Sequence, residues 1–404
     1  MKKILTDSFI QSLSVRKKTA AFRTVFVIFL GLNLCTAFAQ KCTPSAMTDQ
    51  TKERAVRFAE NLKTMRFSAL EEELAFLLRE VAANRQVDVV VLNDIRNAFP
   101  GEPWAEPLLL QWRKESPDSF SAALSTGIYY NLLARTKRGT EFATNTSQEQ
   151  FTAMRKEFEK AISPFNDAMR INPKSALPVA GLISVAKHVA SPQHVLSLLE
   201  VSEKIDPKNM AARLEAIQAF NPKWGGDVEL LNTVLNRAQA LKIKPQQFNF
   251  LKYSAYMELA NYFDVSSKEK VKAIEHYRLA SELCESAAPW RGMADAAFVI
   301  QDWQTRKVAS TKVISYYPNS GVDIFNRGWA YEQLGQLQPA ITDYEVASKL
   351  GNDWAQNNLG WILLEGKHTK QDLPRAKQLF IASAAQGNSK AKQNLESVNR
   401  LLQK

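Results

Sequence analysis

From about Thr51 onward, apolar residues recur three and four positions apart, as in Val56, Ala59, Leu62 and then Phe67, Leu70, Leu74, Leu77 and Leu78. That spacing lays a stripe along one side of an α-helix. Alternation of the kind that marks a half-buried strand is almost absent. Val87 to Leu92 is the one β-branched run, and Asn93, Asp94 and Ile95 continue it equally well as a helix. The pattern predicts an all-α chain.

A second regularity lies over the first. Ala161, Phe165, Ala168 and Pro173 stand at offsets 0, 4, 7 and 12, and Val195, Leu199, Ser202 and Pro207 repeat them. Ala273, Tyr277 and Ala280 give the first three offsets, as do Ala340, Tyr344, Ala347 and Ala376, Phe380, Ser383. Offsets of 4 and 7 fall within about 40° of the start on a helix, so each trio shares a face. The small residues let a neighbouring helix approach, the large one fills the gap, and the proline ends the helix.

These offsets resemble the second helix of the tetratricopeptide repeat. Gly328, Tyr331, Ala340, Tyr344 and Ala347 stand at five of that family's characteristic spacings, with Asn352 where the family places proline. The next segment is similar to a Sel-one-like repeat: Leu359-Gly360-Trp361, then Asp372-Leu373-Pro374-Arg375-Ala376, then Ala384-Ala385-Gln386-Gly387. The resemblance implies a right-handed α-solenoid of antiparallel helix pairs. At roughly 36 residues per pair the chain would hold about ten.

The middle of the chain resembles an uncharacterised family of bacterial proteins built on degenerate helical repeats. The likeness spans roughly residues 55 to 250. It is carried by Trp112-Arg113-Lys114 with Ser116 to Ser119, by Arg135 to Gly139, and by Pro222-Lys223-Trp224-Gly225-Gly226-Asp227. Two adjacent glycines weaken a helix, so the last of these should be a fixed turn. The division expected is a leader over 1–39, a flexible segment over 40–54, a degenerate repeat domain over 55–265 and a tetratricopeptide and Sel-one-like domain over 266–404. Thr136 to Gln150 is polar and reads as a mobile loop. Ser266 to Glu269 reads as the capping start of the helix that carries Ala273.

Charge sharpens the reading of the leader. Met1 to Ala39 carries six basic residues against one acid, so +5 of the net +11 lies there and +6 remains for the other 365 residues. Basic residues end at Arg23, an apolar run covers Val25 to Leu34, and Ala37-Phe38-Ala39 has the small-x-small pattern of a cleavage site. This reads as a secretory signal, with an uncleaved anchor as its rival. Cys35 is a poor lipidation site because Leu34 precedes it. Cleavage would leave Cys42 and Cys284, which either pair in an oxidising compartment or stand as a tail thiol and a packed apolar thiol, the second being preferred.

A hydrophobic content of 45% and this length exclude a disordered chain, and nothing beyond the leader is apolar enough to span a membrane. There is no phosphate-cradling glycine loop, nucleophile elbow or zinc-protease motif. Capping accounts for the serines of Ser267-x-x-Lys270 and Ser389-x-x-Lys392. His188 and His194 flank a turn and read as surface residues, and Glu71-Glu72-Glu73 reads as a solvated face. No cofactor or metal site is expected, and spread charge argues against nucleic acid.

Repeats of this kind offer a face lined by their first helices. Aligning glycines puts Asn326 over Asn358, with Asn394 a further 36 residues on, and Trp329 over Trp361. An amide can both donate to and accept from an extended backbone. One reading is therefore an asparagine ladder with two tryptophans that grips a polypeptide; the other is that the tryptophans are core and the asparagines bridge helices. The expected function is a periplasmic or secreted, non-catalytic interaction or scaffolding module with a protein or peptide partner. The alternative is an envelope enzyme with a site at Trp224 to Asp227.

Overall fold

A computed structural model describes residues 49–83, 88–99, 101–139 and 145–403, with side chains from residue 52. The leader and its cleavage triplet, Cys35, Cys42, Pro100 and residues 140–144 of the polar stretch lie outside the described residues. Every regular element among the described residues is helical, including the β-branched run, which opens a helix at Asp88. The chain is an all-α solenoid of antiparallel helix pairs joined by short turns.

The chain divides into two compact units. Unit 1 takes residues up to Tyr262 and also Leu283 to Glu285. It contains α1 (Asp49–Lys63), α2 (Phe67–Ala82), α3 (Asp88–Ala98), α4 (Ala105–Glu115), α5 (Phe120–Arg138), α6 (Gln148–Ile171), α7 (Leu177–Val189), α8 (Pro192–Ile205), α9 (Ala211–Ala219), α10 (Val228–Ala240) and most of α11 (Pro245–Asp264). Unit 2 holds most of α12 (Lys270–Leu283) and all of α13 (Ala287–Val299), α14 (Trp303–Tyr316), α15 (Gly321–Gln333), α16 (Leu337–Lys349), α17 (Asp353–Glu365), α18 (Leu373–Ala385) and α19 (Ser389–Leu402). No helix among the described residues is long and apolar enough to cross a membrane.

The offset trios form the packing seam. Ala161, Phe165 and Ala168 are fully buried, as are Ala340, Tyr344, Ala347 and Ala376, Phe380, Ser383. Each aromatic member lies on a glycine of a neighbouring helix. The Phe165 ring sits between Gly127 of α5 and Gly181 of α7, where an added Cβ would come within 2.6 Å and 2.3 Å of it. In unit 2, Tyr344 lies against Gly328, Phe380 against Gly360, and Tyr277 against Gly292.

The turns explain the asparagine in the proline position. Gly351 closes one turn at φ +85°, and Asn352 then caps α17 by accepting from the Ala355 N–H at 2.8 Å. Gly387 and Asn388 repeat the device before α19. An N-cap amide satisfies an orphan helix donor, a role proline cannot fill. The Ser-x-x-Lys serines are not themselves caps: Asn388 caps α19 in front of Ser389, and Ser266, not Ser267, caps a short 3-10 turn before α12. The capping start read at Ser266 holds, while Ser267 and Ser389 each stand one residue past their cap.

Glu71 corrects another expectation. It is half-buried, and its carboxylate accepts from the Trp112 indole at 3.0 Å and from the Ser119 hydroxyl, tying α2 to α4 and α5. Cys284 is buried and disulfide-bonded, against the packed thiol preferred from sequence, and its partner lies outside the described residues.

Asp88 holds two remote parts of unit 1 together. Its Oδ2 accepts from the N–H groups of Met210 and Ala211, both at 3.0 Å, and Oδ1 from Val89 N–H at 2.9 Å. Burial pushes the carboxyl up to about 6 against these donors. The native state therefore takes up a proton before the unfolded chain does as pH falls, and stability from this group declines as pH rises from about 4 to 6. An Asp88→Asn variant turns an amide donor against one of these N–H groups and is expected to lose about 1–3 kcal/mol at pH 7. Urea unfolding of both proteins at pH 7 checks it, and an unchanged midpoint would contradict it.

Candidate functional site

Two places in the chain gather side chains that could act on a partner, one in each unit. The first lies on α3, α5, α7, α9 and α11 of unit 1. α7 is buried on all sides from Leu177 to Ala186, so its polar Ser184 and Lys187, three apart, need partners from neighbouring helices. Ser184 Oγ accepts from Arg135 of α5 at 2.6 Å, and Lys187 Nζ donates to Gln218 Oε1 of α9 at 3.2 Å. Glu215, one turn before Gln218, pairs with Arg96 of α3 at 2.6 Å. From α11, Glu258 accepts from the Asn221 side chain at 2.8 Å.

Of these groups Arg96, Glu215, Gln218 and Glu258 form the polar end of a cavity of about 50 Å³ whose walls include Val89, Leu92, Ile217 and Phe250, while Arg135, Ser184 and Lys187 lie outside its lining. The charged groups of the cavity and of the helices around it act on one another. Burial alone would raise the Glu215 carboxyl, but Arg96, Lys187 and Arg135 outweigh it and bring the group down to about 2. Burial, with Arg135 beside it, pushes the Lys187 amine down to about 7. His188 is pushed well below its ordinary range by burial and by Lys187, Arg135, Arg138 and Lys223.

The Trp224 turn closes one side of this region. Gly225 takes a left-handed φ of +89°, and a Cβ on Gly226 would come within 2.2 Å of the Phe220 carbonyl, so both glycines are required. The Trp224 ring meets His188 edge-on at 4.7 Å, and His188 stacks on Phe158 at 5.1 Å. His188 is thus packed between two aromatic rings, not lying free on the surface. Asp227, the acid of the catalytic alternative, is exposed and caps α10 by accepting from Leu230 N–H at 2.8 Å. No group of three or more His, Cys, Asp or Glu among the described residues is arranged to hold a metal.

The second place is the row named from the repeat alignment, on α15, α17 and α19 of unit 2. Asn394 donates to Asn357 at 2.9 Å, Asn357 to Asn358 at 3.2 Å, and Asn358 to the Tyr344 hydroxyl at 3.4 Å. Asn358 and Asn394 therefore belong to one chain of amides. Asn326 does not join it, since its oxygen accepts from Arg306 at 2.7 Å. The two tryptophans also differ. Trp329 is half-buried among Phe298, Trp303 and Phe325, with ring centroids 5.1 to 6.2 Å away. Trp361 is 42% exposed.

Sequence alignment missed Trp354, which is 48% exposed and lies seven residues before Trp361 on the same face of α17. The signal was present, since positions 354, 358 and 361 repeat the 0, 4, 7 offsets in a first helix. Asn357 was missed too, because it stands beside the aligned position and not on it.

A sequence profile described as "Domain of unknown function (DUF4034)" matches residues 54–245. No curated protein matches the chain in sequence. Among solved structures, a Sel1 repeat protein from Oxalobacter formigenes is similar at 15% identity and a TM-score of 0.36, over 75% of this chain and 82% of that one. A protective antigen present in uropathogenic Escherichia coli strains, with an SLR fold, has 15% identity and a TM-score of 0.32, over 85% and 82% of the two chains. YrrB, a TPR protein with an unusual peptide-binding site, has 14% identity and a TM-score of 0.29, over 46% and 91%.

Proposed function

We propose that this chain is an exported, non-catalytic interaction or scaffolding module of a bacterial envelope, and that it binds a polypeptide along the first helices of its unit 2 repeats. The observation that carries the reading is the face of α17. Two tryptophans, each exposed by more than two fifths, flank Asn358 at one helical turn on either side. Large aromatics left in water on a first helix are costly unless a partner covers them, and indoles are over-represented among residues that anchor interfaces. The Asn394-Asn357-Asn358 chain keeps amide oxygens and N–H groups beside those rings, suited to an extended backbone.

Export rests on the leader and is supported by the disulfide at Cys284, a bond that persists in oxidising compartments. Asp227, the acid of the catalytic alternative, serves as a helix cap.

Two substitutions test the binding face. Asn358→Ala and Trp361→Ala are each expected to leave the thermal midpoint within a few degrees, since Trp361 is 42% exposed and Asn358 accepts and donates only long hydrogen bonds. Each should also lower recovery of a polypeptide partner from envelope extract at least tenfold. Unfolding of Trp361→Ala would make that ring core, and undiminished recovery with both variants would overturn the proposal.

A further inference from the structure

The cavity of unit 1 has no part in the proposed peptide face, and its lining has a chemistry of its own. We propose that it is a second binding site, which takes a short primary ammonium, with the nitrogen on Glu215 and Glu258 and the hydrocarbon stem against Val89, Leu92, Ile217 and Phe250.

Three observations carry this. The first is an unused acceptor: Glu215 lines the cavity at 4% exposure, and while its Oε1 pairs with Arg96, its Oε2 is buried without a hydrogen-bond donor. A buried carboxylate oxygen in that state is costly until a donor reaches it. The second is the charge of the lining. Glu258, also buried there, accepts from the neutral Asn221 side chain and has no cation within ion-pair distance among the described residues. Arg96 thus stands against two carboxylates, and one further cation balances them. Arg135 and Lys187 act on Glu215 from outside the lining, but neither donates to its unpartnered oxygen. Burial also brings Lys187 down to about 7, which leaves it only partly charged at neutral pH. An ammonium carries three donors, enough to serve both carboxylates. The third observation is size. A water needs about 10–15 Å³, so a cavity of about 50 Å³ admits roughly four heavy atoms, as in propylammonium or the outer part of a lysine side chain. The apolar wall favours such a stem over a bare ion.

Isothermal titration of the full chain at pH 7 and constant chloride tests this with four probes: propylammonium, ammonium, 1-propanol and a blocked pentapeptide with one central lysine. Propylammonium or the peptide is expected to bind about tenfold or more tightly than ammonium or propanol, since only these two bring both a charge and a stem. Binding of propylammonium identifies a free amine as ligand, and binding of the peptide alone identifies a lysine side chain. Glu258→Gln keeps an oxygen for Asn221 and removes one charge, so it should weaken the bound probe about tenfold. If that variant does not fold, the ranking of the four probes on the native chain still decides. Binding of propanol or ammonium as tight as that of propylammonium and the peptide, binding of none of the four, or undiminished binding to folded Glu258→Gln would overturn the proposal.

Discussion

Replacing Glu215 by Gln is expected to destabilise unit 1 by about 3–5 kcal/mol, because it leaves Arg96, Lys187 and Arg135 crowded in a buried region without the carboxylate that offsets them. The shape is conserved, so the loss is one of charge. Burial raises the cost of the carboxylate, but the three cations hold its pKa near 2, below the ordinary 4.5. The sign follows from proton binding: the unfolded chain takes up the proton first as pH falls, so this stabilisation is complete above about 4.5 and disappears toward 2. Urea unfolding at pH 7 and then at steps down to pH 2.5 should show an acid-sensitive limb in the native sequence that is reduced in Glu215→Gln. Equal stability of the two proteins at pH 7 would mean that the cluster is hydrated and the cations do not need their partner.

The second large effect concerns the aromatic-on-glycine seam. Phe165→Ala should cost about 3–5 kcal/mol, since a fully buried ring leaves a cavity between α5 and α7. Gly181→Ala should cost about 1–3 kcal/mol, as its Cβ would stand 2.3 Å from that ring. The double variant distinguishes this packing from two independent losses: the new methyl enters the space the ring vacates, and the combined cost should fall short of the sum by more than about 1 kcal/mol. Additive losses would show that Phe165 and Gly181 do not share a contact.

These two effects differ in how visible they were in the sequence. The seam was legible because each repeat writes it out again: Ala161-Phe165-Ala168, Ala340-Tyr344-Ala347 and Ala376-Phe380-Ser383 carry the same offsets, and burial follows them. The unit 1 polar cluster was not, because its members come from five helices spread from Arg96 to Glu258, and no local spacing connects them. Its trace is nevertheless there. Asn93 and Arg96, Ser184 and Lys187, and Glu215 and Gln218 are polar pairs three apart, and on α7 such a pair interrupts a helix that is apolar all round. A polar pair on a helix buried on every side has to be met by other polar groups.

The asparagine row lies between these cases. Alignment by glycines put Asn326, Asn358 and Asn394 in register, yet Asn326 turns to Arg306 while the others connect through Asn357. Register fixes where a backbone lies, but a side chain takes the nearest strong donor, and a guanidinium from α14 outcompetes an amide one repeat away. Trp329 and Trp361 separate for a related reason: α14 offers Trp303 beside Trp329, whereas Trp361 on α17 is left 42% exposed.

Photocrosslinking tests the central claim most directly. A benzophenone amino acid would be introduced singly at Trp354, at Trp361 and at Ile381, the last an exposed position on the second helix α18. The proteins would be irradiated in envelope extract. The account predicts one discrete polypeptide adduct from positions 354 and 361, absent from position 381 and lost when Asn358 is also replaced by Ala. Adducts of equal yield from all three positions, or none from 354 and 361, would contradict a polypeptide-binding face on α17.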